Sequence, residues 1–386
     1  MVAAPVPPRQ PPPFPPPPAG IAAPAPAPTL SGSAKVALLV PLSGANAELG
    51  HAILDAAQLA LFEVPDERLI LVPRDTAGTA EGAAKAARAV IDDGTKLILG
   101  PLLATEVQAV KPLARDAHLN IIAFSTVTEL AGGNTFLLGF LPRQEVVREV
   151  GHARDRGFAR FAALAPNSPY GRLMADALRE FASASGATVT RVEFYDPRAD
   201  DTAPAVQRLL PGAGPSTAPA PSAAGGAPSF DALLLPEGGA RLKQIARQIK
   251  EASPGGKPLQ LLGSGLWDVP DLESEPALVG GWFAASPPEL RLSFTQRFQA
   301  TYGRAPPRLA SLGYDAAALA AVLAHGEGEP FSQQAILRPN GFSGVDGLFR
   351  FTPGGLVQRG LAVLEVEPEG DVVVSPAPRS FQDLAY

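Results

Sequence analysis

The chain has 386 residues, 46% hydrophobic and 18% charged, with a formal net charge of −6. That is apolar material for one large domain or two to three ordinary ones, and the acidic balance leaves no basic footprint for nucleic acid. Cysteine is absent, which excludes disulfides, thiolate catalysis, Cys-based zinc sites and a lipid-bearing cysteine in the sequence as given. The histidines (His51, His118, His152, His325) are widely separated, so no imidazole metal site and no cofactor is expected. No run of 18 or more apolar residues marks a transmembrane helix. The first residues lack the basic and apolar regions of a signal peptide; either the protein is cytosolic or its true start lies upstream.

Residues 1–33 are low in complexity, and 13 of the first 30 are proline. Such a segment is expected to be a disordered or polyproline spacer, with a docking segment for a proline-recognition domain as the sharper alternative. At 35–42, KVALLVPL is a continuous apolar run that suits a strand buried on both faces of a parallel sheet. Helical spacing follows over 46–62, a strand over 68–73, an Ala-rich helix over 79–93 stopped by Gly94, a strand over 96–100, a helix over 105–114 and a strand over 120–124. The alternation restarts after Pro142: helix 144–156, strand 158–164, helix 170–184, strand 187–195, short helix 202–210. A Gly/Pro/Ala/Ser-rich stretch, 211–228, is too long for an ordinary connection and reads as a surface insertion. Strand 230–236, helix 240–251 and strand 259–263 continue the pattern. A mixed tail holds strand 278–285, helices 289–302 and 309–325, and a closing strand pair, 347–351 and 361–366, around Pro353-Gly354-Gly355. Repeated βα units imply parallel sheets, and two such blocks imply a ligand between them near the carboxyl ends of their strands.

Several segments carry a family resemblance. VALLVPLSGANAELGHAILDAAQLAL (36–61), LILGPLLATEV (97–107), NIIAFST (120–126), APNSPYGRLMADALREF (165–181), LLGSGLWD (261–268) and SLGYDAAALAAVL (311–323) resemble, in order, blocks of the leucine/isoleucine/valine-binding-protein family. The resemblance runs from about Lys35 to Val374. It implies an α/β fold of two Rossmann-like lobes, the type I periplasmic binding protein architecture, joined by a multi-strand hinge. The expected division gives 34–140 plus about 264–330 to lobe one, 141–263 plus about 331–376 to lobe two, and 377–386 to a tail. Within that superfamily, GPLL followed by Glu106-Val107, GGWFAASPPELRLSFTQRFQATYG (280–303) and GFSGVDGLFRFTPGG (341–355) look like bacterial penicillin-binding-protein activators.

Family members that bind amino acids clamp a zwitterion: hydroxyls and N–H groups of lobe one hold the carboxylate, and a carboxylate of lobe two holds the ammonium. By resemblance the cleft residues here are Ser43 after the first strand, Ser125 and Thr126 after the fourth, and Tyr170 at the Tyr-Gly turn. Ser43, Ser125 and Thr126 read equally as helix caps. The family's hydroxyl after Gly-Pro falls on Ala104, with Thr105 as neighbour or as helix N-cap. The family's ammonium-binding carboxylate falls on Ser264-Gly265 and is missing. Glu237 is the nearest replacement, unless it only serves the following helix dipole. Leaving a buried ammonium without its carboxylate costs about 3–5 kcal/mol, two decades or more in affinity. Trp267 either lines the cleft or packs between the lobes.

No G-x-S-x-G elbow, H-E-x-x-H or Walker loop is present, so the protein is expected not to be an enzyme. The first expectation is a penicillin-binding-protein activator that regulates peptidoglycan synthesis by protein contact. The alternative is the binding component of an ABC-type importer with its permease, taking an amino acid, a peptidoglycan fragment or another small polar ligand. Either is expected in the periplasm or at the outer membrane, peripheral to the bilayer at most.

Overall fold

The computed structural model describes residues 33–63, 68–210, 229–253, 259–325 and 329–382. The expected spacer, except Ser33, and the expected insertion 211–228 lie outside the described residues. The first lobe alternates β1 (Ala34–Val40), α1 (Ala47–Glu63), β2 (Leu69–Asp75), α2 (Ala80–Asp92), β3 (Leu97–Leu99), α3 (Ala104–Asp116), β4 (Asn120–Ala123) and β5 (Thr135–Leu137). The second has α4 (Pro142–Asp155), β6 (Arg160–Pro166), α5 (Pro169–Ala184), β7 (Thr188–Tyr195), α6 (Ala203–Leu209), β8 (Ala232–Leu234), α7 (Gly239–Ala252), β9 (Gln260–Leu262) and β10 (Trp282–Ala285). The remainder comprises α8 (Pro288–Tyr302), α9 (Ser311–His325), α10 (Gln333–Ile336), β11 (Phe342–Gly344), β12 (Gly347–Phe351), β13 (Val357–Arg359), β14 (Ala362–Glu365) and β15 (Val372–Ser375).

Strand order is β2-β1-β3-β4-β5 in the first sheet and β15-β14-β10-β9-β8-β6-β7 in the second. Read from β7, the parallel part of the second sheet repeats the order of the first. Each doubly wound half reverses strand order beside its first strand, and a ligand crevice forms at that reversal, outside the carboxyl ends.

The apolar run of β1 is explained by its two coats. Val36, Leu38 and Val40 point to α1 and α9, where they meet Ile53, Ala57 and Ala316. Ala37 and Leu39 point the other way, to Ala83 and Val107 of α2 and α3, as the two-residue period of a strand requires. The second sheet is covered in the same manner, by α4 and α5 on one face and α6 and α7 on the other. Close approach of α1 and α9 needs Gly313, since a Cβ there would lie 2.1 Å from the Ile53 carbonyl oxygen.

The C-terminal part departs from the expected division. Trp282 to Ala285 was expected in the first lobe, yet these residues form β10, parallel to β9 and antiparallel to β14 in the second sheet. The strand begins only at Trp282, because Gly280 turns the chain with φ +83. Conversely β11–β13 form a separate antiparallel sheet whose Phe342, Phe349, Phe351 and Val357 complete the first lobe's core. The two expected closing strands therefore part: 347–351 turns at Thr352–Leu356 onto β13, and β14 joins the other lobe. Aromatic residues at alternate positions of β12 need an apolar partner, and the first lobe supplies it.

The chain crosses between lobes three times, at 138–141, 286–287 and 360–361. Buried charges gather at these crossings. Arg359, 2% exposed, donates to the Leu138 carbonyl at 2.7 Å and stands 3.8 Å from Asp315. Arg308 pairs with buried Asp346 at 3.0 Å and donates to Ser286 at 3.2 Å. The ring of Phe140 lies between them, 3.8 Å from the Arg308 guanidinium and 4.7 Å from that of Arg359. Burial pushes the Asp315 carboxyl up, with Asp346 adding to it. Burial acts the same way on Asp346, but Arg308 and Arg359 outweigh it and hold that carboxyl low.

Breaking a buried pair from one side leaves an uncompensated charge, so Arg359→Leu should lower the unfolding free energy by about 3–5 kcal/mol in urea titration. Arg115→Ala, which removes the exposed pair with Asp116, should change it by less than about 1 kcal/mol.

Candidate functional site

The carboxyl ends of β1, β3 and β4 form one edge of the cleft, and those of β6, β8 and β9 the other. On the first edge Ser43 donates to Asp75 Oδ2 at 2.6 Å. Asp75 Oδ1 accepts the N–H groups of Leu42, Ser43 and Ala77 at 2.8, 3.2 and 2.7 Å. Slight burial raises this carboxyl, but the Ser43 hydroxyl and the three N–H groups outweigh it and hold it below the usual range. Asp75 thus fixes the β1–α1 loop, and Ser43 stands at the edge with its hydroxyl tied to that acid rather than capping α1.

Ser125 is buried and its Oγ accepts the Val127 N–H at 3.2 Å, a turn cap, while Thr126 beside it is exposed. Thr105 is exposed as the second residue of α3. It is not the N-cap, which is Leu103. The N–H of Leu103 is satisfied by buried Glu106 Oε2 at 3.0 Å, whose other oxygen accepts from Thr76. The signal for Glu106 was legible as an acid at the third helical position.

On the second edge Tyr170 occupies the second position of α5, after Ser168, whose Oγ accepts the Gly171 N–H at 3.1 Å. Burial pushes its phenol up, with Glu145, Glu149 and Glu237 adding to the shift and the Ser264 side chain opposing it. Glu237 accepts from the Tyr195 hydroxyl and from the Gly238 N–H at 3.0 Å, just ahead of α7. Beside that pair a hollow of about 370 Å³ is lined by Asn167, Tyr195, Asp196 and Arg198.

Trp267 does not line the cleft. It is wholly buried in the second lobe, with its Nε1–H donating to the Leu235 carbonyl at 3.2 Å and its ring 6.3 Å from that of Phe283. Two glycines make room for it: a Cβ at Gly263 or Gly281 would come within 2.2 or 2.7 Å of the indole. An indole in a Gly-rich segment looks exposed in sequence; here the glycines are what bury it.

The residues that the sequence reading missed are on α4. Glu145 Oε2 accepts the Gly265 N–H at 2.9 Å, so a carboxylate stands beside the position where none is encoded. Burial pushes this carboxyl up to about 7, against the Gly265 N–H and Arg308, with Asp268 adding to the rise. Glu149, one turn on, is 1% exposed; its Oε1 accepts the Ala284 N–H at 2.9 Å, and burial, with Glu145 adding, raises it well above the ordinary range. The available signal was two acids four apart, each directly before a core valine, Val146 and Val150.

Among the described residues no group of three or more His, Cys, Asp or Glu side chains is placed to hold a metal, and no helix is long and apolar enough to cross a membrane.

Two lobes of matching topology, three crossings and facing polar edges define a solute-binding architecture. The chain belongs to the periplasmic binding protein family, whose model matches residues 33–371. Its members are binding proteins rather than enzymes and work outside the cytoplasm. The solved structures it resembles are similar in fold. A candidate branched-chain amino acid ABC transporter from Rhodospirillum rubrum is 20% identical, with TM-score 0.76, covering 89% of this chain and 100% of that one. A branched-chain amino acid ABC transporter periplasmic ligand-binding protein from Burkholderia xenovorans LB400 is also 20% identical, with TM-score 0.68, covering 89% and 95%. LivJ from Streptococcus pneumoniae, in complex with isoleucine, is 18% identical, with TM-score 0.60, covering 89% and 100%. Among curated proteins, an uncharacterized protein of Rickettsia prowazekii (strain Madrid E) is 23% identical over 176 residues, 45% of this chain. The match spans 47%, about half, of that relative's length.

Two outcomes follow. Trp267→Ala should lower stability by about 3–5 kcal/mol, as loss of a large core aromatic does; a cleft-lining indole would give little change. The folded chain also keeps the Glu145 proton to higher pH than the ordinary 4.5, so this group weakens stability as pH rises from there to about 7. In urea titrations Glu145→Gln should therefore gain stability relative to the parent between pH 5 and pH 8.

Proposed function

We propose that the chain is the substrate-binding component of an ABC-type importer, receiving a small polar ligand between its lobes in the periplasm. What supports this reading is that Ser43, Ser125 and Thr126 of the first lobe and Tyr170, Ser264 and Glu237 of the second all follow the carboxyl ends of strands, where such folds take their ligands. Several similar structures support it: LivJ of Streptococcus pneumoniae is in complex with isoleucine, and a solute binding protein of Rhodopseudomonas palustris is in complex with benzoate. Closure about the three crossings is the motion by which two lobes sequester a ligand.

A second reading, a penicillin-binding-protein activator bound at the outer membrane, is favoured by α8. That helix carries the activator-like segment and exposes Leu290 and Leu292, the latter 59% exposed. Exposed leucines on one helix suit a protein partner better than solvent.

Thermal-shift measurements with amino acids, benzoates and muropeptides test the first reading. A cleft ligand at a hundredfold excess over its Kd should stabilise the fold by about 2.7 kcal/mol. No shift with any of the three, together with native capture of a bifunctional penicillin-binding protein that Leu292→Glu abolishes, would favour the second.

A further inference from the structure

After its three crossings the chain reaches back to the first lobe once more. Strand β15 leaves the second sheet at Ser375, opposite Val363 of β14. Arg148 of α4 holds that exit. Its guanidinium donates to the Ser375 hydroxyl at 2.6 Å and to the Pro376 carbonyl at 3.2 Å, and also to the Leu361 carbonyl of the third crossing at 2.8 Å. Pro378 then lies on Gly360, where a Cβ would come within 3.0 Å of the proline ring. Phe381, only 7% exposed, seats on the small sheet of the first lobe. Its ring is 4.3 Å from the Arg350 guanidinium of β12, and a Cβ at Gly341 would come within 2.6 Å of it. The stretch that reads as a tail in the sequence is therefore anchored at both ends, and glycines make room under Pro378 and Phe381.

The strand order places this strap relative to the cleft. In the second sheet the crevice lies at the reversal beside β6 and β8, the second crossing leaves β10, the third enters β14, and the strap leaves β15, the outermost strand. In the first lobe the reversal lies beside β1 and the first crossing leaves β5, the edge strand. The seat of Phe381 is beyond β5, on the small sheet that meets it where the Leu137 N–H donates to the Gly355 carbonyl at 2.8 Å. In both lobes the crossings thus stand between the crevice and the strap. Lobes that rotate about the crossings to close the crevice draw the two anchors apart. The link between the anchors is only residues 376–380, and Pro376 and Pro378 fix φ at two of its positions, so it has little slack to give.

We propose that residues 376–381 form a strap across the back of the hinge that opposes closure of the cleft. Phe381 must shift in its seat, or leave it, before the lobes meet over a ligand. Closure is the working motion of the ligand-binding reading above, and the strap's consequence for affinity rests on that reading. A tether that lowers the closed fraction lowers the apparent affinity by the same factor, and releasing the tether restores it.

The test reads the angle between the lobes in the full chain. Because the sequence has no cysteine, Gln58→Cys on α1 and Arg179→Cys on α5, both exposed, can carry a pair of spin labels. These helices join β1 to β2 and β6 to β7, the sheet ends farthest from the crossings. Pulsed electron resonance gives the label separation without ligand, so the outcome is independent of the thermal-shift test of the ligand-binding reading. Phe381→Ala should move the distances to shorter values and raise the closed fraction several-fold. Two glycines inserted between Arg379 and Ser380 keep both anchors but lengthen the strap, and should move the distances the same way. A tail that only stabilises the fold would lower the unfolding midpoint and leave the distances where they were. Unchanged or longer separations in either folded variant overturn the proposal. Should Phe381→Ala fail to fold, the insertion decides.

Discussion

Everything the two lobes do together passes through one buried arrangement, the ring of Phe140 held between the guanidinium groups of Arg308 and Arg359. Each arginine brings an aspartate, Asp346 for Arg308 and Asp315 for Arg359. The cluster touches all three crossings: Phe140 lies in the first, Ser286 in the second, and Arg359 leads into the third. Charges this deeply buried are tolerated only when paired. The pairing therefore dictates where the chain passes from one lobe to the other, and so how the two sheet edges face each other.

With that relation fixed, duplicated topology does the rest. The order 2-1-3-4-5 appears in both lobes, and each sheet presents its carboxyl strand ends to the cleft. Ser43 and Tyr170, more than a hundred positions apart, each follow the first strand of their lobe, β1 and β6, and so take equivalent places in the two halves. The link between lobes extends to the site itself: Asp268, just past the Ser264-Gly265 turn, pairs with Arg308 and with Arg291 of α8. That turn therefore stands next to an ion pair that spans the lobes.

The regular part of this fold was legible because its strands are buried on both faces and its helices are Ala-rich. β1, read from KVALLVPL, and α9, read from SLGYDAAALAAVL, stand where the patterns put them. The C-terminal exchange was not legible. GLFRF and LAVLEV are both strand-like, and nothing local states that Phe349 and Phe351 pack into one lobe while Leu364 packs into the other. Ser43, Ser125 and Thr126 follow the ends of β1 and β4, where the apolar runs put them. Trp267 was misplaced because its burial depends on Gly263 and Gly281, a packing relation with no periodicity. Glu145 and Glu149 were missed because acids four apart on a helix ordinarily face water. Here their helix lies against the second sheet, and the same spacing turns both carboxyls inward.

The central claim is that a small polar ligand is held between the carboxyl strand ends of the two lobes. A crystal structure grown with an amino acid that raises the melting temperature tests it most directly. The account predicts density between the two sheet edges, in contact with residues of both lobes. A ligand bound outside the cleft, or against one lobe alone, would contradict it.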